Sequence, residues 1–369
     1  MLRKRMGYRL IPSVVLILMI AVALIFSSVT VIRAENAMRD AEHARARGEA
    51  VERMRHGFES FEESIDISDL GINPSELGKL FADATKDTPY LFYVSNNLAY
   101  SYRTGGCVVA VKPKYTMGRK EAEAAIEYCR SEIKKMTDMV SSRKSELERL
   151  VAVHDLICSD YSYDTSLEST NIYTFLKTGN GTCQGYTWTY MAILRELGIE
   201  CRYVASDTVA HIWLMVKIDG EWYHSDVTWD DPTAKEGSGT QSRAHLLFSD
   251  EQADKDGYLD RYSSLDLKCS SKIYDGCELL SDIPFCTVSG DADHDGKVTL
   301  YDILLLRLYI ENGSALNLDI CLVCADADGN HLIDEDDAEH IRRILLGDQA
   351  KFCLEILSFV SCNIGMRML

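Results

Sequence analysis

Hydrophobic residues alternate with polar ones, or run together with aromatic and β-branched residues, in three early segments: Tyr90–Val94, Leu98–Arg103 and Cys107–Val111. Such segments, separated by Asn and Gly pairs, predict a three-strand meander. Apolar residues then recur at three- and four-residue spacing in Arg119–Val140 and Ser145–Ser159, which predicts two helices.

A third predicted helix, Thr182–Leu197, has a defined start and end. A Gly-Asn-Gly turn precedes it, Thr182 suits the N-cap, and Gly198 suits the position after the last turn. Four segments with the strand pattern follow: Cys201–Ala205, His211–Ile218, Glu221–Trp229 and His245–Ser249. Helices followed by hairpin-connected strands predict an α+β domain in which helices pack on an antiparallel sheet.

The first 33 residues have the pattern of an export signal. Four basic residues within the first nine precede the apolar run Leu10–Ile32. Its 23 residues are enough to span a bilayer, and the charge bias predicts that the amino end stays inside. A cleaved signal peptide and a single uncleaved membrane anchor both remain open, and either predicts an extracellular or cell-surface protein. The polar residues 34–67 predict a solvated helical linker.

The chain carries a net charge of −18, which disfavours a nucleic-acid partner because phosphate backbones select basic faces. The negative charge is concentrated at residues 288–348, which hold 14 acidic and 4 basic side chains. This stretch must either repel itself or hold cations.

The twelve cysteines do not reveal a disulfide pattern, because their spacing is irregular. Cys321 and Cys324 form one C-x-x-C motif. No second pair follows at the spacing of a zinc site, so we do not predict zinc there.

Cys183 is a candidate nucleophile. It falls at the first position of its predicted helix, where unpaired backbone N–H groups and the positive helix end favour a thiolate over a thiol. A cysteine there can act if a base reaches it.

A β-hairpin supplies the predicted base. If Asp219-Gly220 forms a two-residue turn, His211 and Asp226 become diagonal neighbours on one face of the hairpin. A carboxylate in that place would fix the imidazole tautomer and stabilise the imidazolium.

The other histidines and aspartates nearby are predicted to be structural. His154 lies on the apolar face of a helix and is predicted to be a core residue. No carboxylate lies at a sequence spacing from His245 that would predict a contact with it. Asp230 and Asp231 precede a proline and are predicted to form a turn.

Three segments resemble bacterial transglutaminase-like cysteine enzymes: Gly-Thr-Cys-Gln-Gly-Tyr at 181–186, His-Ile-Trp at 211–213 and Trp-Tyr-His-Ser-Asp-Val-Thr-Trp-Asp-Asp-Pro at 222–232. These enzymes are similar to papain-type proteases in their catalytic core. The resemblance implies that Cys183 is the nucleophile, His211 the general base and acid, and Asp226 the orienting residue. Family members cross-link glutamine to amines, deamidate, or hydrolyse peptide bonds.

Their shared step is attack of the thiolate on an amide carbonyl to give a thioester, after which water or an amine decides the product. The Cys183 backbone N–H would bind the oxyanion, and Tyr163 and Asn171 remain open as the second donor. We predict hydrolysis of protein or peptide amide bonds without a cofactor in this domain. Amine transfer by the same triad and an inert structural or binding module are the alternatives.

Two acidic segments repeat one pattern 35 residues apart. Oxygen-bearing side chains fill positions 1, 3, 5, 9 and 12 of an EF-hand-type loop, with a main-chain carbonyl at position 7. In the first loop, positions 1, 3, 5, 7, 9 and 12 are Asp291, Asp293, Asp295, Lys297, Thr299 and Asp302. In the second loop, the same positions are Asp326, Asp328, Asn330, Leu332, Asp334 and Asp337. The pattern predicts two Ca²⁺ sites. Position 6 is Gly296 in the first loop but His331 in the second, where we expect a strained turn.

The duplicated loop and helix resembles a dockerin, the calcium-dependent module that binds cohesin domains of bacterial scaffold proteins. The resemblance implies a small α-helical module that needs calcium to fold. It also implies recognition through loop positions 10 and 11, which are Leu300 and Tyr301, then Glu335 and Asp336. Because these pairs differ, the two halves are not expected to present interchangeable faces.

The predicted domain organisation follows from these patterns. An export signal or anchor (1–33) is followed by a linker (34–67) and an accessory part (68–145). The transglutaminase-like domain (146–285), the dockerin (288–348) and a tail (349–369) come after them.

Overall fold

The structure is a computed structural model that describes residues 11–141, 143, 145–233, 242–263, 267–276, 278–280, 283, 288–316 and 318–346. Within these ranges, the side chains at 11–32, 34, 262, 263, 278 and 314 are outside the description. The predicted C-terminal tail lies wholly outside it. The chain divides into two compact units, one formed by residues up to Ala84 with Val94–Lys114, the other by Thr85–Tyr93 and the chain from Tyr115 onward.

The first unit combines helices with a three-stranded antiparallel sheet. Its elements are α1 (Ile11–Glu59), β1 (Ile65–Asp66), a 3-10 turn (Pro74–Glu76), α2 (Leu77–Thr85), β2 (Ala99–Tyr102) and β3 (Val108–Lys112), with strand order β1-β3-β2. Two strands of the predicted meander are confirmed. Tyr90–Val94 is not a strand. Its first four residues lie in the second unit, where Phe92 stacks on Tyr173 with ring centroids 5.7 Å apart.

Helix α1 carries a buried stripe toward its end. Ala50, Met54 and Phe58 are fully buried, and Gly57 lies so close to Ile65 that a Cβ there would come within 2.4 Å of it. The prediction of a solvated linker is therefore wrong for this part of α1. The stripe holds only three apolar residues among many charged ones, too few for periodicity to stand out.

Helices from the described part of the chain include none that is long and apolar enough to cross a membrane. The predicted anchor, Leu10–Ile32, falls among residues whose side chains are outside the description.

The second unit begins with helices and continues into a sheet. Its elements before residue 281 are α3 (Arg119–Ser141), α4 (Glu146–Asp160), β4 (Ser162–Tyr163), α5 (Ile172–Thr178), β5 (Asn180–Gly181), α6 (Cys183–Glu196), β6 (Cys201–Ser206), β7 (His211–Ile218), β8 (Glu221–Ser225), α7 (Val227–Asp230), β9 (Leu246–Phe248), α8 (Asp250–Asp256), β10 (Tyr262–Ser263) and a 3-10 turn (Glu278–Leu280). The five-stranded sheet is antiparallel with the order β10-β6-β7-β8-β9, while β4 and β5 pair in parallel. The predicted mixture of helices on an antiparallel sheet is confirmed.

Strand β8 is shorter than the predicted Glu221–Trp229. It ends at Ser225 because Asp226 becomes the N-cap of α7, and the Asp226 carboxylate accepts the Thr228 and Trp229 N–H groups at 3.0 and 3.4 Å. The apolar pattern of the segment continues through this helical turn, so the sequence does not show the break.

Helix α3 belongs to the main core of the second unit. Ile133, Met136 and Val140 lie in one buried cluster with residues of α4, α5, α6 and the sheet, such as Leu150 and Tyr190. The predicted boundary between residues 145 and 146 therefore divides a continuous core.

Three helices form the acidic-loop module, which we define as residues 288–346. They are α9 (Leu300–Asn312), α10 (Leu322–Ala325) and α11 (Glu335–Leu346), with a 3-10 turn (Gly313–Leu316) after α9. Met139 of α3 lies within the apolar cluster of this module, and Val323 of the module packs against the cluster around α4 and α6. The module therefore packs directly on α3 and on the cluster around α4 and α6.

Candidate active site and acidic loops

Cys183 is the first residue of α6, as predicted, and is half-buried. Glycines hold the start of this helix against the ring of Phe175. A Cβ on Gly181 or Gly185 would come within 2.5 or 2.6 Å of that ring. The small residues on both sides of Cys183 thus allow the close approach that places its thiol.

The hairpin that carries His211 has the predicted turn. Asp219 and Gly220 have φ values of 51° and 86°, as a type I′ turn requires. The register runs from Ile218↔Glu221 to Leu214↔Ser225. The predicted turn and register are confirmed, and Asp226 directly follows the last paired residue.

The His211 ring connects Asp226 with Cys183. Nε2 lies 2.6 Å from Asp226 Oδ2, and the Cys183 side chain is close enough to the ring to raise the pKa of His211. Burial lowers the pKa of His211, but attraction to Asp226 and the hydrogen bonds to Asp226 and Cys183 outweigh it and raise the pKa to about 10. The pairing with Asp226 therefore favours the protonated imidazole.

The Asp226 carboxylate is buried and satisfied by several donors. Oδ1 accepts the backbone N–H groups of α7, and Oδ2 accepts the Tyr258 hydroxyl at 2.8 Å as well as His211. Burial acts to raise the pKa of Asp226, but the interactions with His211 outweigh it and keep the pKa below its usual value. Tyr258 is a positioning residue that the sequence analysis missed.

Two indole rings enclose the His211 imidazole. Trp213 stacks on it with ring centroids 5.6 Å apart, and Trp229 does so at 5.1 Å. Trp213 Nε1 in turn donates to His224 Nδ1 at 3.0 Å. Trp213 therefore limits the orientation of the His211 ring.

Side chains of α6 tie the nucleophile helix to the hairpin. The Thr187 hydroxyl donates to the Ile212 carbonyl at 3.1 Å, beside His211. The Tyr190 and Ser225 hydroxyls lie 3.0 Å apart, beside Asp226. These contacts fix the spacing between Cys183 and its two partners.

Asp230 is the centre of a buried network under the site. Its carboxylate contacts His154 Nε2 and His245 Nδ1, each at 3.1 Å. Asp231 is also buried and accepts the Tyr186 hydroxyl at 2.6 Å. His154 is a satisfied core residue, as predicted, and Asp231 takes part in the predicted turn, since its carboxylate accepts the Thr233 N–H at 2.6 Å. Asp230 and His245 pair with each other inside this network, which was not predicted. The partners come from distant helices and strands, so no sequence offset indicates them.

The two candidate oxyanion donors have different surroundings. Tyr163 pairs with Gly181 in the β4–β5 ladder, two residues before Cys183. The Asn171 side-chain oxygen accepts the Thr174 N–H at 3.0 Å and so caps α5.

The acidic loops bring their predicted carboxylates together. In the first loop, oxygens of Asp291, Asp293 and Asp302 lie within 4.8 Å of one another. The second loop does the same with the residues at its positions 1, 3 and 12: Asp326, Asp328 and Asp337. Oxygen donors that converge in this way are the ligand set that Ca²⁺ prefers, so these residues fit the ion that the sequence predicts.

Burial and crowding of like charges raise the pKa of several of these carboxyl groups. For Asp326, burial and repulsion by Asp337 and Asp328 outweigh the hydrogen bond from the His331 N–H, and the pKa rises to about 6. The pKa values of Asp293 and Asp337 are also raised, in both cases chiefly by burial. A bound cation would relieve this repulsion.

The remaining predicted ligands and contact residues lie at the rim of the loops. Thr299 caps α9 and donates to Asp302 at 3.0 Å, and Asp334 is half-buried. The exposed ones are Asp295, Lys297, Asn330, Leu332, Leu300, Tyr301, Glu335 and Asp336.

His331 adopts the left-handed conformation expected at position 6, with φ of 60°. Its Nε2 lies 2.8 Å from Asp160 Oδ2 at the end of α4. The histidine thus replaces the usual glycine where the second loop meets α4, a contact that the loop pattern does not reveal.

Residues 133–227 match the family model of the Transglutaminase-like superfamily. This segment contains Cys183, His211 and Asp226, and the predicted resemblance is confirmed for it. No curated protein matches the chain.

Solved structures with detectable similarity are distant. One is described as "Crystal structure of a TGase", with 12% identity and a TM-score of 0.26 over 42% of this chain and 48% of its own. A "Putative Cysteine Protease from Cytophaga hutchinsonii" has 11% identity and a TM-score of 0.24, with coverage of 37% and 63%. A "putative protease from Parabacteroides distasonis" has 15% identity and a TM-score of 0.21, over 38% of this chain and 36% of its own. The chain thus spans less than two thirds of each.

The His211–Asp226 pair predicts a specific pH dependence of stability. His211 has a pKa near 6.5 in the unfolded chain and about 10 when folded. Its stabilising contribution is complete below pH 6.5 and is lost as the pH rises toward 10, by up to about 1.4 kcal/mol per pH unit. We expect Asp226→Asn to make this decline shallower in urea unfolding at pH 7 to 9.5.

Two features make this comparison specific. His154, whose pKa is raised to about 9, contributes equally to both proteins, so the difference reports the histidines that interact with Asp226, chiefly His211. Asp250→Asn is the matched control, because it removes a carboxylate beside His224, whose pKa is lowered. Identical slopes for wild type and Asp226→Asn would contradict the proposed ion pair.

Proposed function

We propose that the chain is a cysteine enzyme that hydrolyses amide bonds of proteins or peptides through a thioester. The observation that carries the proposal is the His211 ring, which lies 2.6 Å from Asp226 and close enough to Cys183 for that side chain to raise the His211 pKa. These residues lie within the segment that matches the Transglutaminase-like superfamily.

The arrangement supports a two-step acyl transfer. The Cys183 sulfur attacks the carbonyl carbon, and the cationic His211 donates its Nδ1 proton to the departing amine as the C–N bond breaks. His211 then takes a proton from water, whose oxygen attacks the thioester and releases the acid and the thiolate. Asp226 stabilises the imidazolium and holds its tautomer throughout.

The Cys183 backbone N–H at the start of α6 is our proposed first oxyanion donor. For the second donor, we favour Tyr163 over Asn171. Tyr163 lies in the strand that pairs with Gly181, whereas the Asn171 side chain already caps α5.

A labelling experiment tests whether the site is active. We expect iodoacetamide to modify Cys183 at least about tenfold faster than Cys107, which is also half-buried. His211→Ala should remove this advantage without changing the rate at Cys107. Equal rates at the two thiols, unaffected by His211→Ala, would reject the enzyme in favour of an inert module.

Amine transfer is the alternative outcome for the same triad. A glutamine-containing peptide incubated with a labelled primary amine distinguishes the two reactions. We expect free acid as the product at low amine concentration, with no label incorporated. Stoichiometric incorporation of the label would replace hydrolysis by cross-linking as the function.

We propose as a second function that the acidic-loop module binds Ca²⁺ at two sites and a cohesin domain through the start of α9. The converging carboxylates of both loops support the calcium sites. Leu300 and Tyr301 support the docking surface, since 76% and 55% of their surfaces are exposed, an unusual fraction for neighbouring apolar residues. At the matching position of the second loop, Glu335 instead lies 3.3 Å from Arg307. The extracellular location remains a prediction.

A further inference from the structure

A cluster of soft metal ligands lies beside the first acidic loop. The Cys321 and Cys324 sulfurs and a ring nitrogen of His294 all lie within 4.8 Å of one another. Both cysteines are almost fully buried, with exposed fractions of 3% and 2%. The sequence analysis dismissed this C-x-x-C motif because no second pair follows it, whereas the fold brings a histidine from 27 residues earlier in the chain.

Backbone hydrogen bonds connect the two chain segments that carry the cluster. The Cys321 N–H donates to the Ala292 carbonyl at 2.8 Å, and the Gly290 N–H donates to the Cys324 carbonyl at 2.7 Å. These bonds join the C-x-x-C turn to both sides of the first loop. His294 has φ of 60°, a conformation that directs the chain sharply at this point. The ligand positions are therefore built by the fold.

The donor atoms select a class of metal. Two thiolates and an imidazole suit Zn²⁺ and other borderline ions, whereas Ca²⁺ takes oxygen ligands. Tetrahedral zinc, with bonds of about 2.0 to 2.3 Å, separates its ligand atoms by roughly 3.5 to 3.8 Å, which the cluster accommodates. This site would differ in chemistry from the two carboxylate loops.

A second cluster in the described part of the chain offers a control. His224, Asp250 and Cys269 also lie within 4.8 Å of one another. There, Nδ1 of the histidine accepts from Trp213 Nε1 at 3.0 Å and Nε2 lies 3.1 Å from Asp250, so hydrogen bonds account for both ring nitrogens. We assign that cluster a structural role and use it as a control.

Arg143 adds a feature expected beside a metal-bound thiolate. Arg143 lies in the connection between α3 and α4, and its Nη2 donates to the Cys321 sulfur at a distance of 2.7 Å. A guanidinium hydrogen bond offsets the negative charge that two thiolates place on the site.

We propose that His294, Cys321 and Cys324 bind one Zn²⁺ ion, with a fourth position left for water. The ion would cross-link the first acidic loop to the turn before the second loop, at the place where Arg143 approaches the module. It would act as a structural brace, separate from the calcium loops and from the Cys183 site.

Cobalt substitution and zinc stoichiometry test this proposal in the full chain. We would use a Cys183→Ala background, so that the catalytic thiol cannot bind metal, with reduced thiols and saturating Ca²⁺. We expect one equivalent of Zn²⁺, and Co²⁺ should give thiolate charge-transfer bands with the intense visible bands of tetrahedral coordination. Cys324→Ser and His294→Asn should each weaken zinc binding by at least about 100-fold.

The variants separate metal binding from misfolding. Asparagine tolerates the left-handed conformation of His294, so His294→Asn should keep the helical circular dichroism of the wild type while losing the cobalt spectrum. Cys269→Ser is the matched control in the second cluster and should keep the spectrum. Unchanged zinc affinity in both His294→Asn and Cys324→Ser would overturn the proposal.

Discussion

Replacement of Cys183 by alanine is expected to lower kcat for amide hydrolysis by about 10⁵-fold or more, because no thioester can then form. The half-buried thiol lies at the start of α6 and is outside the main apolar cluster, so the fold should survive. Single-turnover kinetics on a peptide substrate measure the loss, and thermal unfolding checks the structure.

Cys107→Ala is the control for this experiment. It removes a half-buried thiol from the first unit and should leave kcat within about twofold of wild type. If Cys183→Ala retained more than a percent of the wild-type rate with the same pH profile, the nucleophile would have to be another group.

Calcium removal is expected to unfold the acidic-loop module. Each loop places three carboxylates within 4.8 Å of one another, and their mutual repulsion is balanced only when a cation is bound. Calcium at 100 times its dissociation constant would add about 2.7 kcal/mol per site to the unfolding free energy. We expect a metal-free protein to gain helical circular dichroism on titration with Ca²⁺, as α9 and α11 form.

Two variants make this titration decisive. Asp302→Asn removes the position-12 carboxylate of the first loop and should weaken the response at least about tenfold. Glu311→Gln removes an exposed acid on α9 outside both loops and should not change it. A titration that gives the same curve for wild type and Asp302→Asn would show that the loops do not drive folding of the module.

The residues of the candidate triad were predictable because their geometry is local. A two-residue turn fixes the pairing along β7 and β8, and the sequence alone then places His211 near Asp226. The position of Cys183 at a helix start followed from the glycine-rich turn before it. Such arguments rest on neighbours within about 15 residues along the chain.

The supporting residues were not predictable because their partners are remote. Tyr258 reaches Asp226 from the segment after α8, and Asp230 meets His154 from α4. For the same reason, the sequence did not predict that His294 lies beside the C-x-x-C motif or that His331 contacts Asp160. Spacing rules describe one element or one turn, whereas these contacts depend on how several elements pack together.

The two-sided burial of α3 limits how this protein can be rearranged. Its Ile133 and Met136 are covered by the transglutaminase-like core, while Met139, one turn further, is covered by the acidic-loop module. When an independent docking module is exchanged, the domain that it leaves exposes no new apolar surface. Here, exchange of the module alone would strip Met139 of its apolar neighbours, so enzyme and module are expected to be transferred between proteins only as one piece.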